Sequence, residues 1–193
     1  MRTFTRSGLA AASACALLTV SLAGTASADD SVGRFTATLR PLNGSGATGT
    51  AVLTYDDGRL TVTVSVSGIE ADRAHAQHIH GRKDKSFDST CPTADSADQI
   101  AGAPAQAANP DEFIDVSEGL DEYGPVLLPF TPFPTPGDST YTYTATFKGN
   151  DLKDLRPIKK TLDERAVVVH GMTLGGEYVG SLPVACGTVE RTG

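Results

Sequence analysis

The chain has 193 residues, 39% of them hydrophobic, with 23 acidic against 16 basic side chains and a net charge of −7. That length suits one domain with a sizeable core, and the acidity argues against nucleic acid or an anionic membrane as a partner. Four histidines and three cysteines are few enough to be placed one by one.

The first 28 residues carry Arg2 and Arg6, then an apolar run from Leu9 to Leu22, then Ala26-Ser27-Ala28. A positive end, a short apolar core and a small-residue site in that order predict a secretory signal peptide over residues 1–28 and a secreted domain over 29–193. The apolar run is short and interrupted by Ser and Thr, and no later segment approaches about 20 apolar residues, so no membrane span is expected. Cys15 has its apolar run after it rather than before it, which argues against lipidation.

Gly33 to Leu42, Ala47 to Tyr55 and Arg59 to Gly68 alternate apolar with Thr, Ser or charged positions, and Asp57-Gly58 joins the last two. This is the pattern of half-buried strands with a tight hairpin. Further strands are expected at His75 to His80, Thr140 to Lys148, Arg165 to Gly171 and Tyr178 to Ala185. No long stretch has a 3.6-residue period, so the expected fold class is all-β, a sandwich or barrel. Arg82 to Asp138 breaks the pattern, being rich in Asp, Ala, Pro and Gly, and is expected to be one long loop insertion.

Cys91 and Cys186 are the cysteines beyond the leader. In an exported chain they most simply form one disulfide, closing a loop of roughly 95 residues and contributing about 2–4 kcal/mol. Metal thiolates are the rival reading, disfavoured because neither cysteine has a partner at short ligand spacing.

Three histidines fall within "AHAQHIHG" (Ala74 to Gly81). On a strand, His78 and His80 point to one face and Ile79 to the other, which makes half of a metal site. "AVVVHG" delivers His170 at a strand end as a third imidazole, and neutral imidazole suits copper and zinc. His75, an odd number of residues away, is expected to face elsewhere and make a structural hydrogen bond. The competing reading is ordinary strand histidines with polar partners.

The order His75-x-x-His78-x-His80, Cys91, "RAVVVHG" and "GGEYVGSLPVACG" resembles the copper/zinc superoxide dismutase family. The resemblance implies an eight-stranded Greek-key sandwich, with His78, His80 and His170 as copper ligands, His75 as a structural histidine and Cys91–Cys186 as the disulfide. Departures are plain. No histidine lies between His80 and His170, so the bridging histidine and both other zinc-ligand histidines have no counterpart, and no zinc site is expected. Leu174 stands where that family has an aspartate linking the two metals, and Pro183 where it has the arginine that guides superoxide. The spacing of "IHG", a long cysteine-containing insertion, "VVVHG", and Gly175, Gly176, Glu177, Gly180 and Leu182 is similar to secreted bacterial proteins with a CHRD domain, the closer family. The resemblance implies copper binding without efficient turnover, or alternatively a copper-only superoxide dismutase. A metal-free structural or adhesive domain is the third reading.

Two stretches carry weaker chemistry. Arg82 and Lys83, with Lys85, form a local positive spot that can draw an anion such as superoxide toward the metal, or be a solvated loop. Asn109 to Gly119 follows the second half of an EF-hand register. It would put Ala107 at the first ligand position and Glu112 at the sixth, where an acid and a glycine are needed, so it reads as an acidic loop. No serine stands in a nucleophile elbow.

Overall fold

The structure is a computed structural model that describes residues 32–84, 86–97 and 113–193. The expected signal peptide and Asn109 to Glu112 of the acidic stretch lie outside the described residues. Eight strands are present: β1 (Gly33–Pro41), β2 (Thr48–Asp56), β3 (Arg59–Ser67), β4 (Gln77–His80), β5 (Val126–Pro129), β6 (Thr140–Lys148), β7 (Ala166–Leu174) and β8 (Glu177–Arg191). They form one antiparallel sheet in the order β5-β4-β7-β8-β1-β2-β3-β6. The chain passes from β3 to β4 and from β5 to β6 between opposite ends of that order. Short connections, residues 68–76 and 130–139, make those passages because the sheet curls on itself in a Greek-key half-barrel.

Period-two patterning builds the β1-β2-β3-β6 half. Phe35, Leu39, Leu53, Leu60, Val62 and Val64 face inward and are buried, each worth about 1.5–3 kcal/mol of transfer free energy. Asp57 and Gly58 have φ of 44° and 73°, the left-handed pair that a two-residue hairpin needs to match strand twist. Outward, hydroxyls face each other across β3 and β6: Thr61–Thr146 at 3.0 Å, Thr63–Thr144 at 3.1 Å and Ser65–Thr142 at 3.1 Å.

In the other half, β7 from Ala166 to Gly171 and the middle of β8 are buried on both faces. Val167 and Val169 of β7 join the main core, while Ala166 and Val168 belong to a second cluster with Leu42, Ile114, Tyr123 and Cys186. A run of β-branched residues without alternation is what double burial requires.

The cover on that second face comes from the segment expected to be one long loop, and here the expectation is corrected. Arg82 to Asp138 contains a helical turn, α1 (Leu120–Tyr123), and the edge strand β5. Val126-Leu127-Leu128 is too short and too closely framed by Pro125 and Pro129 to register as a strand in the sequence. The Cys91–Cys186 disulfide ties the segment to β8. Strand ends shift as well: β4 starts at Gln77 rather than His75, and β8 runs on to Arg191. Residues 149–164, unassigned by the sequence, form 3-10 turns and a second helical turn, α2 (Ile158–Thr161), with Leu152, Leu155, Ile158 and Leu162 turned into the core. Among the described residues no helix is long and apolar enough to cross a membrane.

Candidate metal centre

β4 and β7 lie side by side, with His78 opposite Val168 and His80 opposite Ala166. Ile79 is wholly buried on the core side, so its two neighbours project together onto the face that the Arg82–Asp138 segment covers. Register shifts fall between Ile79 and His80 and on both sides of His170. Such bulges re-aim side chains, and these flank two of the three histidines. Gly171, at φ 107°, takes the conformation the second irregularity needs, with the Tyr178 hydroxyl packed against it.

The three rings meet. Centroids are 5.4 Å apart for His78 and His80, 5.1 Å for His78 and His170, and 5.7 Å for His80 and His170. One nitrogen from each lies within 4.8 Å of the others, and among the described residues this is the one group of three or more His, Cys, Asp or Glu side chains so placed. His80 and His170 are 2% exposed, whereas His78 is half-buried.

Hydrogen bonds decide which nitrogens are available. The Nδ1–H of His80 donates to the Gly124 carbonyl at 2.8 Å, and that of His170 to the Ser181 carbonyl at 2.7 Å. A carbonyl only accepts, so each Nδ1 carries the proton and each Nε2 carries a bare lone pair. Those two Nε2 atoms, and Nδ1 of His78, are buried without a hydrogen-bond partner. Two lone pairs and a third ring nitrogen that no hydrogen bond holds in the protonated form make a set of metal donors, and the two carbonyls fix ring orientation as outer-shell acceptors do in metal sites.

Burial also keeps the rings neutral. It lowers His80 to about 3, helped by the neighbouring His170 and His78 and opposed by the Gly124 bond. His78 falls to about 4 through burial and His170, and His170 falls to about 4 through burial, opposed by the Ser181 bond. Near pH 7 no proton competes for the donor nitrogens.

His75 precedes β4 instead of sitting on it. Its Nδ1 stands 3.1 Å from the His170 carbonyl oxygen and its Nε2 2.8 Å from that of Glu70. It therefore touches the backbone of a cluster residue and not the cluster. Two members of the positive spot have acidic neighbours: Arg82 lies 3.9 Å from Asp121 and over the Phe87 ring, and Lys83 pairs with Asp154 at 2.9 Å, while Lys85 lies outside the described residues. In the acidic stretch, Asp115 accepts from the Ser117 hydroxyl and from the amides of Ser117 and Glu118 within its own turn.

Some contributors carry little or no sequence signal. Tyr123, wholly buried, packs its ring 4.7 Å from that of His80, and Phe133 meets His78 edge-on at 5.5 Å. Arg165, also wholly buried, lies against Gly81 directly after His80, where any Cβ would collide with it. An X-His-Gly pattern was the visible trace of that contact.

No curated protein sequence matches the chain. One solved structure it is similar to is a mutant of Candida albicans superoxide dismutase 5, at 12% identity and a TM-score of 0.41, covering 81% of this chain and 88% of that one. Residues 35–179, spanning all three clustered histidines and most of the strands, match the CHRD domain, and the chain belongs to that family.

Proposed function

We propose that the protein is an extracellular copper-binding protein that holds the ion through Nδ1 of His78 and Nε2 of His80 and His170. The observation that carries this reading is the set of three neutral, buried ring nitrogens without hydrogen-bond partners. Each such orphan costs about 1–3 kcal/mol, a cost that a shared ligand reverses. An all-imidazole set suits copper, which also stands above zinc in the affinity order of divalent ions. The leader-like residues 1–28 and the Cys91–Cys186 bond fit export to an oxidising compartment.

Bound copper would supply a Cu(II)/Cu(I) couple. The chain's own part is to orient two rings through Gly124 and Ser181, to keep all three neutral, and to wall the site with Tyr123 and Phe133. Binding without efficient superoxide turnover is the favoured role, because Arg82 and Lys83 are engaged by Asp121 and Asp154 and leave little field to draw an anion.

Titrating the disulfide-intact protein with Cu(II), with metal content and electron spin resonance read on wild type and His80→Ala, tests the reading. One-to-one binding with nitrogen hyperfine structure, lost in the variant, is expected. Binding no tighter than the variant's background overturns it.

A further inference from the structure

The two edges of the sheet are built differently. β5 has four residues, follows Pro125 and ends on Pro129, and pairs with β4 through an irregular register. Short length, proline and a bulge are the devices by which proteins protect an edge from other chains. β6 has none of them. It runs nine residues, "TYTYTATFK", with no proline, and its register on β3 is unbroken from Lys148 to Thr140. Among the described residues no strand pairs with its other side. The amides at its two ends have acceptors in their own chain, Thr140 on Asp138 at 2.8 Å and Lys148 on Asp151 at 3.5 Å, and the backbone groups between them on that side need a partner or water.

The edge is also self-complementary. A neutral run, Ser139 to Phe147, lies between Asp138 and Lys148. Two copies set antiparallel about a two-fold at Tyr143 place each Asp138 against the Lys148 of the second copy, whereas a parallel pair would set like charges together. The same two-fold faces Thr142 with the second copy's Thr144, which repeats the hydroxyl pairing that both already make with β3; Thr140, whose hydroxyl donates to Asp138 of its own chain, comes opposite the second copy's Thr146. On the inward side Tyr143 and Ala145 are only partly buried against the core, so pairing removes more of their surface from water.

From this asymmetry we propose that β6 is a self-association edge, and that two copies of the chain join β6 to β6 as an antiparallel, two-fold dimer. The pairing is independent of the histidine cluster, which lies on the other half of the sheet.

Sedimentation velocity of the disulfide-intact protein from micromolar to millimolar concentration tests it, with hydrogen exchange read on the β6 amides. A reversible monomer–dimer equilibrium is expected, with Tyr141 to Phe147 protected as the dimer fills. Thr142→Lys combined with Thr144→Lys sets lysines opposite each other twice and weakens the dimer by at least about 10-fold. Thr142→Lys combined with Thr144→Glu sets opposite charges across the two-fold and restores it. Val52→Lys, on the same exposed face but away from the edge, leaves it unchanged and controls for folding. A protein that stays monomeric over the range, including one whose edge takes up an added peptide instead, overturns the proposal. So does a dimer indifferent to the β6 variants.

Discussion

The β1-β2-β3-β6 half and the β5-β4-β7-β8 half obey different rules. In the first, every register runs without a shift, and β1 and β3 alternate an apolar inward residue with a hydroxyl or charge outward, as β2 does apart from the exposed Val52. In the second, registers shift beside His80 and on both sides of His170, and β7 is buried on both faces. Regular pairing maximises ladder hydrogen bonds but lets side chains point only up or down. Bringing three imidazoles together requires departures from that alternation, and the departures fall at the histidines. One half is scaffold, and the other gives up regularity for a site.

Acid is the condition expected to separate the halves most. All four histidines lie outside β1, β2, β3 and β6. His78, His80 and His170 titrate near 4, 3 and 4 in the folded protein, against about 6.5 in an unfolded chain. Between those values the unfolded state binds protons that the folded state refuses, so stability is fully present above about pH 6.5 and is lost as pH falls toward 4. The metal-free protein is expected to lose several kcal/mol over that window in urea titrations. His80→Gln removes about a third of the slope, since three groups share it. The depressed carboxyls of Glu70, Asp84 and Asp138 act at lower pH. A pH profile flat from 7 to 4.5 would remove the electrostatic difference between the halves.

Opening the disulfide comes next in size. Cys91 and Cys186 close a separation of 95 residues, for which the chain-entropy account gives about 4.7 kcal/mol. The bond also holds the segment carrying Tyr123 and Gly124 over the β4 and β7 face. Cys91→Ala with Cys186→Ala should therefore cost up to about 4.7 kcal/mol in global stability. It should also raise hydrogen exchange around Gly124 and His80 well before that in β2 and β3. Uniform acceleration across both halves would show that the cover and the site are not a separate unit.

The same division governed what the sequence disclosed. Alternation and the Asp57-Gly58 hairpin made β1, β2, β3 and β6 readable, because a half-buried ladder writes its period into the residues. His78, His80, His170 and the two cysteines were readable as rare residue types. The acceptors that orient the rings were not, since the Gly124 and Ser181 carbonyls are backbone atoms with no residue signature. β5 was hidden by its length and flanking prolines, and the partners of Arg82 and Lys83 lie far along the chain at Asp121 and Asp154. Tertiary pairing of charges leaves no local pattern.

A core variant in the scaffold half gives the smaller and sharper test. Leu53 is wholly buried in β2, pairs across to Phe35 and Val62, and touches no histidine of the cluster in register. Leu53→Ala removes buried methylenes and leaves a cavity, for a cost of about 3 kcal/mol. Metal affinity at pH 7 should change by less than about threefold, because distant, independent sites add. His170→Ala should show the reverse: at least about 1000-fold weaker metal binding, with apo stability at pH 5 changed less than by Leu53→Ala, since the variant also removes a group whose neutral form must be maintained. Calorimetry of unfolding and of metal binding on the two variants reads both quantities. If Leu53→Ala loosened the metal as much as it destabilised the fold, the cluster would depend on the global packing of the half-barrel. The bulges at His80 and His170 would then be consequences of that packing, not the means by which the site is assembled.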